Sequence, residues 1–149
     1  VEIGDNTTIR ECVTIHKGTH DKHKTVVGKN CLIMAYVHIA HDASIGDFCI
    51  IANSAGIAGH VVIDDHVIIE GGGVSIQQFL HIGRYVFIAG GSGVRKNIPP
   101  YIKVARDPLS FAGVNTIGLK RNGFDEKTIK ELQDIYRLIF VQNTTIVNG

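Results

Sequence analysis

A six-residue period runs through the first two thirds of the sequence and constrains its fold more than any other feature. When the chain is divided from residue 1, the third position of the first twelve hexads is Ile or Val in eleven cases, and the exception is Asp21. The first position is small or β-branched throughout. An aliphatic hexapeptide period is typical of a parallel β-helix, in which each hexad forms a short strand and a turn. Ordinary short strands in a β-sandwich would alternate without a fixed sixfold register.

Three hexads close one triangular coil of about 18 residues, so residues 1–96 predict roughly five coils with strands about 4.8 Å apart. Two interruptions modify this prediction. The fourth hexad, residues 19–24, is polar, and we expect it to leave the coil as a solvated loop. The pattern slips by one residue between Ile69 and Ile76, where the run 70–73 contains three glycines that tolerate the backbone geometry of a bulge.

The repeat predicts three segments. Residues 1–97 are expected to form an all-β solenoid of hexapeptide repeats, incomplete at its N-terminal end because residue 1 already lies within a full hexad. Ile98-Pro99-Pro100 ends the pattern, since proline cannot donate to a central ladder, and residues 98–124 are expected to form a connecting segment. Residues 125–149 are predicted to be a C-terminal α-helical segment, also incomplete, with Asp125 as its N-cap. Its expected apolar stripe comprises Ile129, Leu132, Ile135, Tyr136, Leu138 and Ile139.

Composition narrows the functional classes. The 15 Lys and Arg residues oppose 14 Asp and Glu, and a net charge of +1 argues against nucleic-acid binding, which needs concentrated positive charge. The apolar runs are too short for membrane insertion. The three cysteines fit no zinc motif and are interpreted as core or turn residues in a reducing, cytoplasmic compartment.

The predicted register shows which polar residues stack in consecutive coils. His41 should lie directly beneath Gly59, and Gln78 continues that column once the one-residue slip is counted. Asp42 should lie beneath His60. Histidines on the outside of a solenoid are most often solvated or subunit-contact groups, but several of them converging on adjacent coils favour a functional site.

This cluster contains the minimal parts of a general base. A carboxylate beside an imidazole fixes its tautomer and stabilises its protonated form, as Asp42 could do for His41. Gly59, one coil above, could offer an unobstructed N–H to a developing oxyanion. His38 precedes the inward-facing Ile39, so we expect its side chain to point outward into the same region.

Four segments give the chain a resemblance to a known family. They are VHIAHD (37–42), IAGH (57–60), QQF (77–79) and GVNTIGLKRNGF (113–124). Together they resemble the acyl-carrier-protein:UDP-N-acetylglucosamine O-acyltransferases that begin lipid A synthesis, and the resemblance covers nearly the whole chain. It implies a left-handed parallel β-helix and a homotrimer with active sites between subunits. It also implies transfer of a 3-hydroxyacyl chain from acyl carrier protein to the 3-hydroxyl of the UDP-sugar.

The resemblance implies three catalytic positions. His41 matches the family's general base and Asp42 its orienting acid, while Gly59 matches the residue whose backbone N–H faces the thioester oxyanion. The implied transfer is direct, so no acyl-enzyme, metal or cofactor is expected. The implied substrate-binding positions are His38, His60 and Gln78 near the sugar nucleotide, Gly90 at the acyl chain, and Asn115 and Arg121 at the nucleotide.

The chain departs from the family pattern at Gln77, Ile117 and Asn122. These departures concern the contacts with the nucleotide and the identity of the acceptor group, which is either the 3-hydroxyl or the amine of a 3-amino sugar.

Three alternatives follow from the same residues. A related hexapeptide enzyme of lipid A synthesis N-acylates a glucosamine. A γ-type carbonic anhydrase shares the fold and uses three histidines on zinc between subunits, which His38, His41 and His60 could mimic. A trimeric scaffold without catalytic activity would use the histidines as surface groups.

Overall fold

Fifteen strands of two residues each build a parallel β-helix in the computed structural model, which describes residues 1–142. Each strand covers the second and third positions of one repeat, and the remaining positions form the turns. The strands are β1 (Glu2–Ile3), β2 (Thr8–Ile9), β3 (Thr14–Ile15), β4 (Val26–Val27), β5 (Leu32–Ile33), β6 (His38–Ile39), β7 (Ser44–Ile45), β8 (Ile50–Ile51), β9 (Gly56–Ile57), β10 (Val62–Ile63), β11 (Ile68–Ile69), β12 (Ser75–Ile76), β13 (His81–Ile82), β14 (Phe87–Ile88) and β15 (Gly93–Val94).

Every third strand joins the same sheet, so the chain winds around three parallel faces. The first sheet contains β1, β4, β7, β10 and β13, the second β2, β5, β8, β11 and β14, and the third β3, β6, β9, β12 and β15. Partners in the middle coils are 18 residues apart, as His38 and Gly56 are. The predicted fold, a left-handed parallel β-helix with a C-terminal helical segment, is confirmed.

The aliphatic residues at the third position fill the interior. From β4 to β15 each of them is at most 3% exposed, and each lies over its counterpart in the coil below. This stacking produces one continuous apolar column, which is how a solenoid obtains its core from repeats that could not bury one alone. Cys31 and Cys49 are buried at first positions and Cys12 lies exposed in a turn, as expected of core and turn residues.

The turns between the sheets form three corners. The first corner contains residues 28–31, 46–49, 64–67 and 83–86; the second contains 34–37, 52–55, 70–74 and 89–92; the third contains 40–43, 58–61 and 77–80. The last residue of most hexads is in the left-handed region, with φ of 61° at Asp42 and 60° at His60. The same backbone turn therefore places these two residues at equivalent points in consecutive coils.

Both interruptions of the period lie where the sequence predicted them. Glu2 pairs with Val26, 24 residues later, whereas Val26 pairs with Ser44, 18 residues later. The difference of one hexad is the excursion, residues 19–24, which leaves the coil. Between β11 and β14 the spacing rises to 19, and Gly72 and Gly73 absorb the extra residue with φ near 80°.

The connecting segment, residues 98–124, contains regular structure of its own. Strand β16 (Ile102–Ala105) pairs in parallel with β14, so the ladder of the second sheet continues past residue 97. Strand β17 (Ser110–Val114) turns back and pairs antiparallel with β16. A short helix, α1 (Thr116–Arg121), follows. These elements lie at the last coil, where β17 contacts the following helix.

Helix α2 (Glu126–Arg137) begins at the predicted cap, because the Asp125 carboxylate accepts a hydrogen bond of 2.7 Å from the Thr128 N–H. A single π-helical turn (Leu138–Gln142) extends it, and the rest of the predicted segment, residues 143–149, lies outside the described residues. Ile129 and Tyr136 are buried, but Ile135 and Leu138 are exposed, so the predicted stripe was too broad. Within residues 1–142, no helix has the length and apolar character needed to cross a bilayer.

Strand β8 offers a direct test of which side chains hold the solenoid together. Ile51 points inward and is 0% exposed, while its neighbour Ile50 points outward and is 37% exposed. We expect Ile51→Ala to lower the free energy of unfolding by about 2–5 kcal/mol, because it leaves a cavity in the apolar column. Ile50→Ala should cost less than about 1 kcal/mol. Urea unfolding of both variants measures the difference, and equal losses would contradict the assigned inward and outward positions.

Candidate active site

The third corner brings together residues from three consecutive coils. His41 and Asp42 lie in one turn, Gly59 and His60 in the next, and Gln78 in the third. A main-chain hydrogen bond holds the first two turns together, since the His60 N–H donates to the His41 carbonyl oxygen at 3.1 Å. The register predicted from the repeat therefore brings these five residues to one edge of the β-helix.

His41 and Asp42 form a hydrogen-bonded pair. Nδ1 of His41 lies 2.8 Å from Oδ2 of Asp42. The Asp42 side chain is completely buried, whereas 40% of the His41 side chain is exposed. A carboxylate at this position favours the tautomer with the proton on Nδ1, which leaves Nε2 as the acceptor. The pair thus has the geometry of a base whose buried partner fixes its orientation.

The Asp42 carboxylate is held by the excursion. The Thr19 hydroxyl donates to Oδ2 at 2.6 Å, the Thr19 N–H donates to Oδ1 at 3.0 Å, and the Lys22 N–H donates to Oδ1 at 3.3 Å. Burial alone would raise the pKa of the Asp42 carboxyl, but the hydrogen bonds from Thr19 and His41 hold it well below its usual range. Asp42 therefore stays ionised, and the expectation that this loop is only solvated was wrong.

Thr25, the residue after the excursion, completes these contacts. Its hydroxyl oxygen accepts a hydrogen bond of 2.9 Å from the Asp42 N–H, and its side chain is buried. Neither Thr19 nor Thr25 was predicted from the sequence. The signal available for Thr25 was a hydroxyl-bearing residue at the first, inward position of its hexad, where most hexads carry Val, Ala or Cys. Thr19 is exposed in the excursion, and no repeat position marks it.

His60 lies between two carboxylates. Its Nδ1 is 3.4 Å from the exposed Asp21 carboxylate of the excursion, and its Nε2 is 3.8 Å from Oδ2 of Asp42. Its ring stacks on Phe79 at 4.7 Å and meets the His41 ring edge to face at 5.2 Å. His60 is therefore held on four sides and is only 11% exposed. His60 therefore contacts the His41 ring but does not share the short hydrogen bond between His41 and Asp42.

Gly59 is required by the position of the His41 ring. A Cβ at residue 59 would lie 2.8 Å from both Cε1 and Nε2 of His41, closer than carbon atoms approach in proteins. The ring can lie against the Gly59 backbone only because residue 59 has no side chain. The backbone and the exposed edge of His41 therefore line the same small space.

Gly59→Ala is expected to displace the His41 ring and to reduce turnover by about tenfold or more, since small misplacements of a catalytic group are costly. Gly56→Ala is the matched control, because a Cβ at Gly56 meets nothing within 4 Å. A crystal structure of each variant would show the ring position, and turnover would be measured beside it. Full activity of Gly59→Ala with an unmoved ring would show that the close contact is not needed.

His38 is engaged on a neighbouring face and not at the base. Its Nδ1 lies 2.7 Å from the Thr14 hydroxyl, and its ring meets the His16 ring at 4.6 Å. Burial, together with the nearby His16, lowers the pKa of the His38 imidazole below its ordinary value, which favours the neutral ring. Gln78 is exposed in the third-corner turn above Gly59.

The other predicted substrate-binding residues do not share this corner. Gly90 lies at the second corner, where its N–H donates to the Glu70 carboxylate at 3.0 Å and a Cβ would meet the Gly71 carbonyl oxygen at 2.8 Å. Asn115 is buried beside the first corner, donating to the Tyr85 carbonyl at 2.9 Å and capping α1 through the Gly118 N–H. Its side chain thus has a structural role as a cap.

Arg121 is the last residue of α1 and is exposed. Because α1 is capped by Asn115 beside the first corner, Arg121 does not belong to the third-corner cluster of the same chain. One chain therefore brings together His41, Asp42, Gly59, His60 and Gln78, and it places Gly90, Asn115 and Arg121 elsewhere.

Within one chain, the structure does not bring together His38, His41 and His60, the three histidines of the zinc alternative. Among the described residues, the group that could share a cation is His41, Asp42 and His60, whose potential ligand atoms lie within 4.8 Å of one another. His38 is not a member, and the Asp42 oxygens already accept hydrogen bonds from Thr19, Lys22 and His41. This donor set differs from a three-histidine zinc site.

Comparisons with protein families agree with both parts of the chain. Residues 24–59 match a family model described as bacterial transferase hexapeptide (six repeats). Residues 97–148 match one described as UDP N-acetylglucosamine O-acyltransferase, domain 2. A protein of Ectopseudomonas mendocina named acyl-[acyl-carrier-protein]–UDP-N-acetylglucosamine O-acyltransferase is 41% identical over 97% of this chain and 56% of its own length. The chain spans about half the length of the curated relatives it matches.

Solved structures of the same family resemble this chain over nearly its whole length. A UDP-N-acetylglucosamine acyltransferase from Arabidopsis superposes with a TM-score of 0.91 at 44% identity, over 99% of this chain and 51% of that one. A UDP-N-acetylglucosamine acyltransferase from Bacteroides fragilis superposes with a TM-score of 0.89 at 35% identity, over 98% of this chain and 69% of that one. The similarity thus extends over both the β-helix and the C-terminal elements.

Proposed function

Because the chain belongs to the UDP-N-acetylglucosamine O-acyltransferase family, we propose that it moves a 3-hydroxyacyl chain from acyl carrier protein to the 3-hydroxyl of UDP-N-acetylglucosamine, the first step of lipid A synthesis. The observation that carries this proposal is the His41–Asp42 pair, in which a buried, ionised carboxylate orients a half-exposed imidazole. The N-acylating enzyme, the zinc enzyme and the inactive scaffold are less well supported by the comparisons.

His41 begins the transfer as general base. Nε2 accepts the proton of the sugar 3-hydroxyl while that oxygen attacks the thioester carbonyl carbon. Asp42 stabilises the imidazolium that forms, because its charge lies 2.8 Å from Nδ1. When the tetrahedral intermediate collapses, the carbon–sulfur bond breaks and the thiolate of the carrier takes the proton back from His41. The products are the acylated sugar nucleotide and the free carrier thiol.

Gly59 supports the same reaction from a position beside the His41 ring. The oxygen of the thioester gains negative charge in the tetrahedral intermediate, and a backbone N–H beside the base would stabilise it. The close contact between residue 59 and the His41 ring places a backbone next to the base with no side chain between them. In this mechanism the chain's own residues complete the transfer, so we propose that it needs neither cofactor nor metal.

The distribution of the substrate-binding positions supports a homotrimer. The base lies at the third corner, Gly90 lies at the second, and Arg121 belongs to α1 near the first. A cleft between two copies would bring the third corner of one chain to another corner of its neighbour, and each cleft would then contain every part. Acyl carrier protein and the UDP-sugar are the proposed partners, and cytoplasm is the proposed compartment.

The test is product formation by the complete natural protein that contains this chain. It would be mixed with UDP-N-acetylglucosamine and a panel of 3-hydroxyacyl carrier proteins, and mass spectrometry would detect the acylated sugar nucleotide. We expect an ester at the 3-hydroxyl. Product formed only from a 3-amino sugar would identify the amine as the acceptor, and no product with any donor would contradict the proposal.

A further inference from the structure

Thr19 hydrogen-bonds directly to the candidate base pair, although the repeat does not predict this contact. It is the first residue of the excursion, and its N–H and hydroxyl both donate to the Asp42 carboxylate. The Lys22 N–H adds a third donor from the same segment. The excursion is closed on itself by a hydrogen bond of 2.9 Å from the His23 N–H to the Thr19 carbonyl oxygen. One compact turn thus holds the carboxylate in place.

These donors determine which histidine forms a hydrogen bond with the Asp42 carboxylate. Rotation about the bond between Cβ and the carboxyl carbon of an aspartate is soft, so the carboxylate plane is fixed only by its partners. Oδ2 lies 2.8 Å from Nδ1 of His41 but also 3.8 Å from Nε2 of His60. The Thr19 hydroxyl, at 2.6 Å, binds this same oxygen. Without that hydroxyl, a small rotation would let the carboxylate pair with His60.

We propose that Thr19 is a positioning residue of the acyl transfer: its hydroxyl and N–H fix the Asp42 carboxylate against His41, so that Nε2 of His41 remains the proton acceptor. This proposal rests on the proposed function of His41. It gives the excursion a role in catalysis, although none of its side chains is required to touch the substrate. Thr19 acts through Asp42, and Asp42 acts through His41.

The decisive variants remove and restore the hydroxyl. Thr19→Val keeps the size and the N–H, which lies 3.2 Å from Oδ2, but removes the shorter hydroxyl bond of 2.6 Å to that oxygen, and Thr19→Ser restores it. Because hydrogen bonds to a buried charge are strong, we expect Thr19→Val to lower kcat roughly tenfold or more, with the KM of both substrates within about twofold. Thr19→Ser should recover most of the loss.

Thr7→Val is the matched control. Thr7 also occupies a first position, and its hydroxyl donates to the Gly28 carbonyl oxygen at 2.6 Å, but at the first corner. It should lower stability as Thr19→Val does and leave kcat unchanged. If Thr7→Val lost as much kcat as Thr19→Val, the effect of Thr19→Val would be general destabilisation, and the proposal would be overturned.

A second readout does not depend on activity. Nitrogen-15 NMR of the imidazoles identifies the tautomer of His41 in the wild-type protein and in each variant. We expect the Nδ1–H tautomer in the wild type and a mixture in Thr19→Val. A wild-type His41 protonated on Nε2, or a Thr19→Val variant with wild-type kcat and tautomer, would overturn the role of Thr19. An inactive wild type with the expected tautomers would contradict the proposed function while supporting the positioning by Thr19.

Discussion

Replacing His41 by Ala is expected to lower turnover by about 10²- to 10⁴-fold, the usual contribution of a positioned general base. The loss should be in kcat more than in KM, because the imidazole accepts the proton of the sugar hydroxyl only in the transition state. The fold should survive, since His41 is half-exposed and lies outside the apolar column. Steady-state kinetics on the acyl carrier protein substrate measure the change.

His81→Ala is the control for this experiment. His81 also pairs with an aspartate, and its Nε2 lies 2.8 Å from Oδ1 of Asp64. That pair differs from the candidate base because neither of its members is buried. His81→Ala should keep wild-type turnover. Wild-type turnover of His41→Ala would instead remove His41 from the mechanism.

Asp42→Asn is the second change with a large expected effect, a loss of about 10²-fold or more in kcat. An amide carries donors on one side only, yet both carboxylate oxygens of Asp42 face donors: His41 and the Thr19 hydroxyl at Oδ2, and the Lys22 N–H at Oδ1. Whichever way the amide turns, its NH₂ group meets an N–H or O–H, and the His41 tautomer is no longer fixed. Asp64→Asn, in the His81–Asp64 pair, is the control and should keep wild-type turnover.

The same variant predicts a pH dependence of stability. The pKa of Asp42 in the folded protein lies below its unfolded value, so its ionisation stabilises the fold above the unfolded pKa of about 3.9. This contribution is lost as the pH falls through the folded pKa. We expect the difference in urea midpoint between wild type and Asp42→Asn to be largest above about pH 5 and to shrink below about pH 4. A difference that grows on acidification would contradict the assigned direction.

The part of the site that follows from the repeat could be predicted from the sequence. Because strands of successive coils pair with a fixed offset, the position of His41 beneath Gly59 required only the period and the one-residue slip. The inward or outward direction of each side chain followed from its slot in the hexad. Left-handedness required the family resemblance, since the period alone does not determine it.

The contacts made by the interruptions could not be predicted in this way. The path of the excursion is not specified by any repeat, so a polar hexad could only be interpreted as a loop. That loop folds back and places Thr19 and Lys22 on Asp42, and Asp21 beside His60. The hydrogen bonds of Asn115 were also not predictable from the repeat, because they depend on how α1 packs beside the first corner. Its implied contact with the nucleotide stays a prediction.

In the proposed mechanism, the third corner holds the reacting hydroxyl of the sugar. A crystal structure of the complete natural protein with UDP-N-acetylglucosamine would show where this hydroxyl binds. We expect the sugar 3-hydroxyl oxygen at about 2.6–3.2 Å from Nε2 of His41, the hydrogen-bonding reach of a general base. A sugar nucleotide bound at another corner, with Nε2 of His41 out of contact with every hydroxyl, would contradict this mechanism.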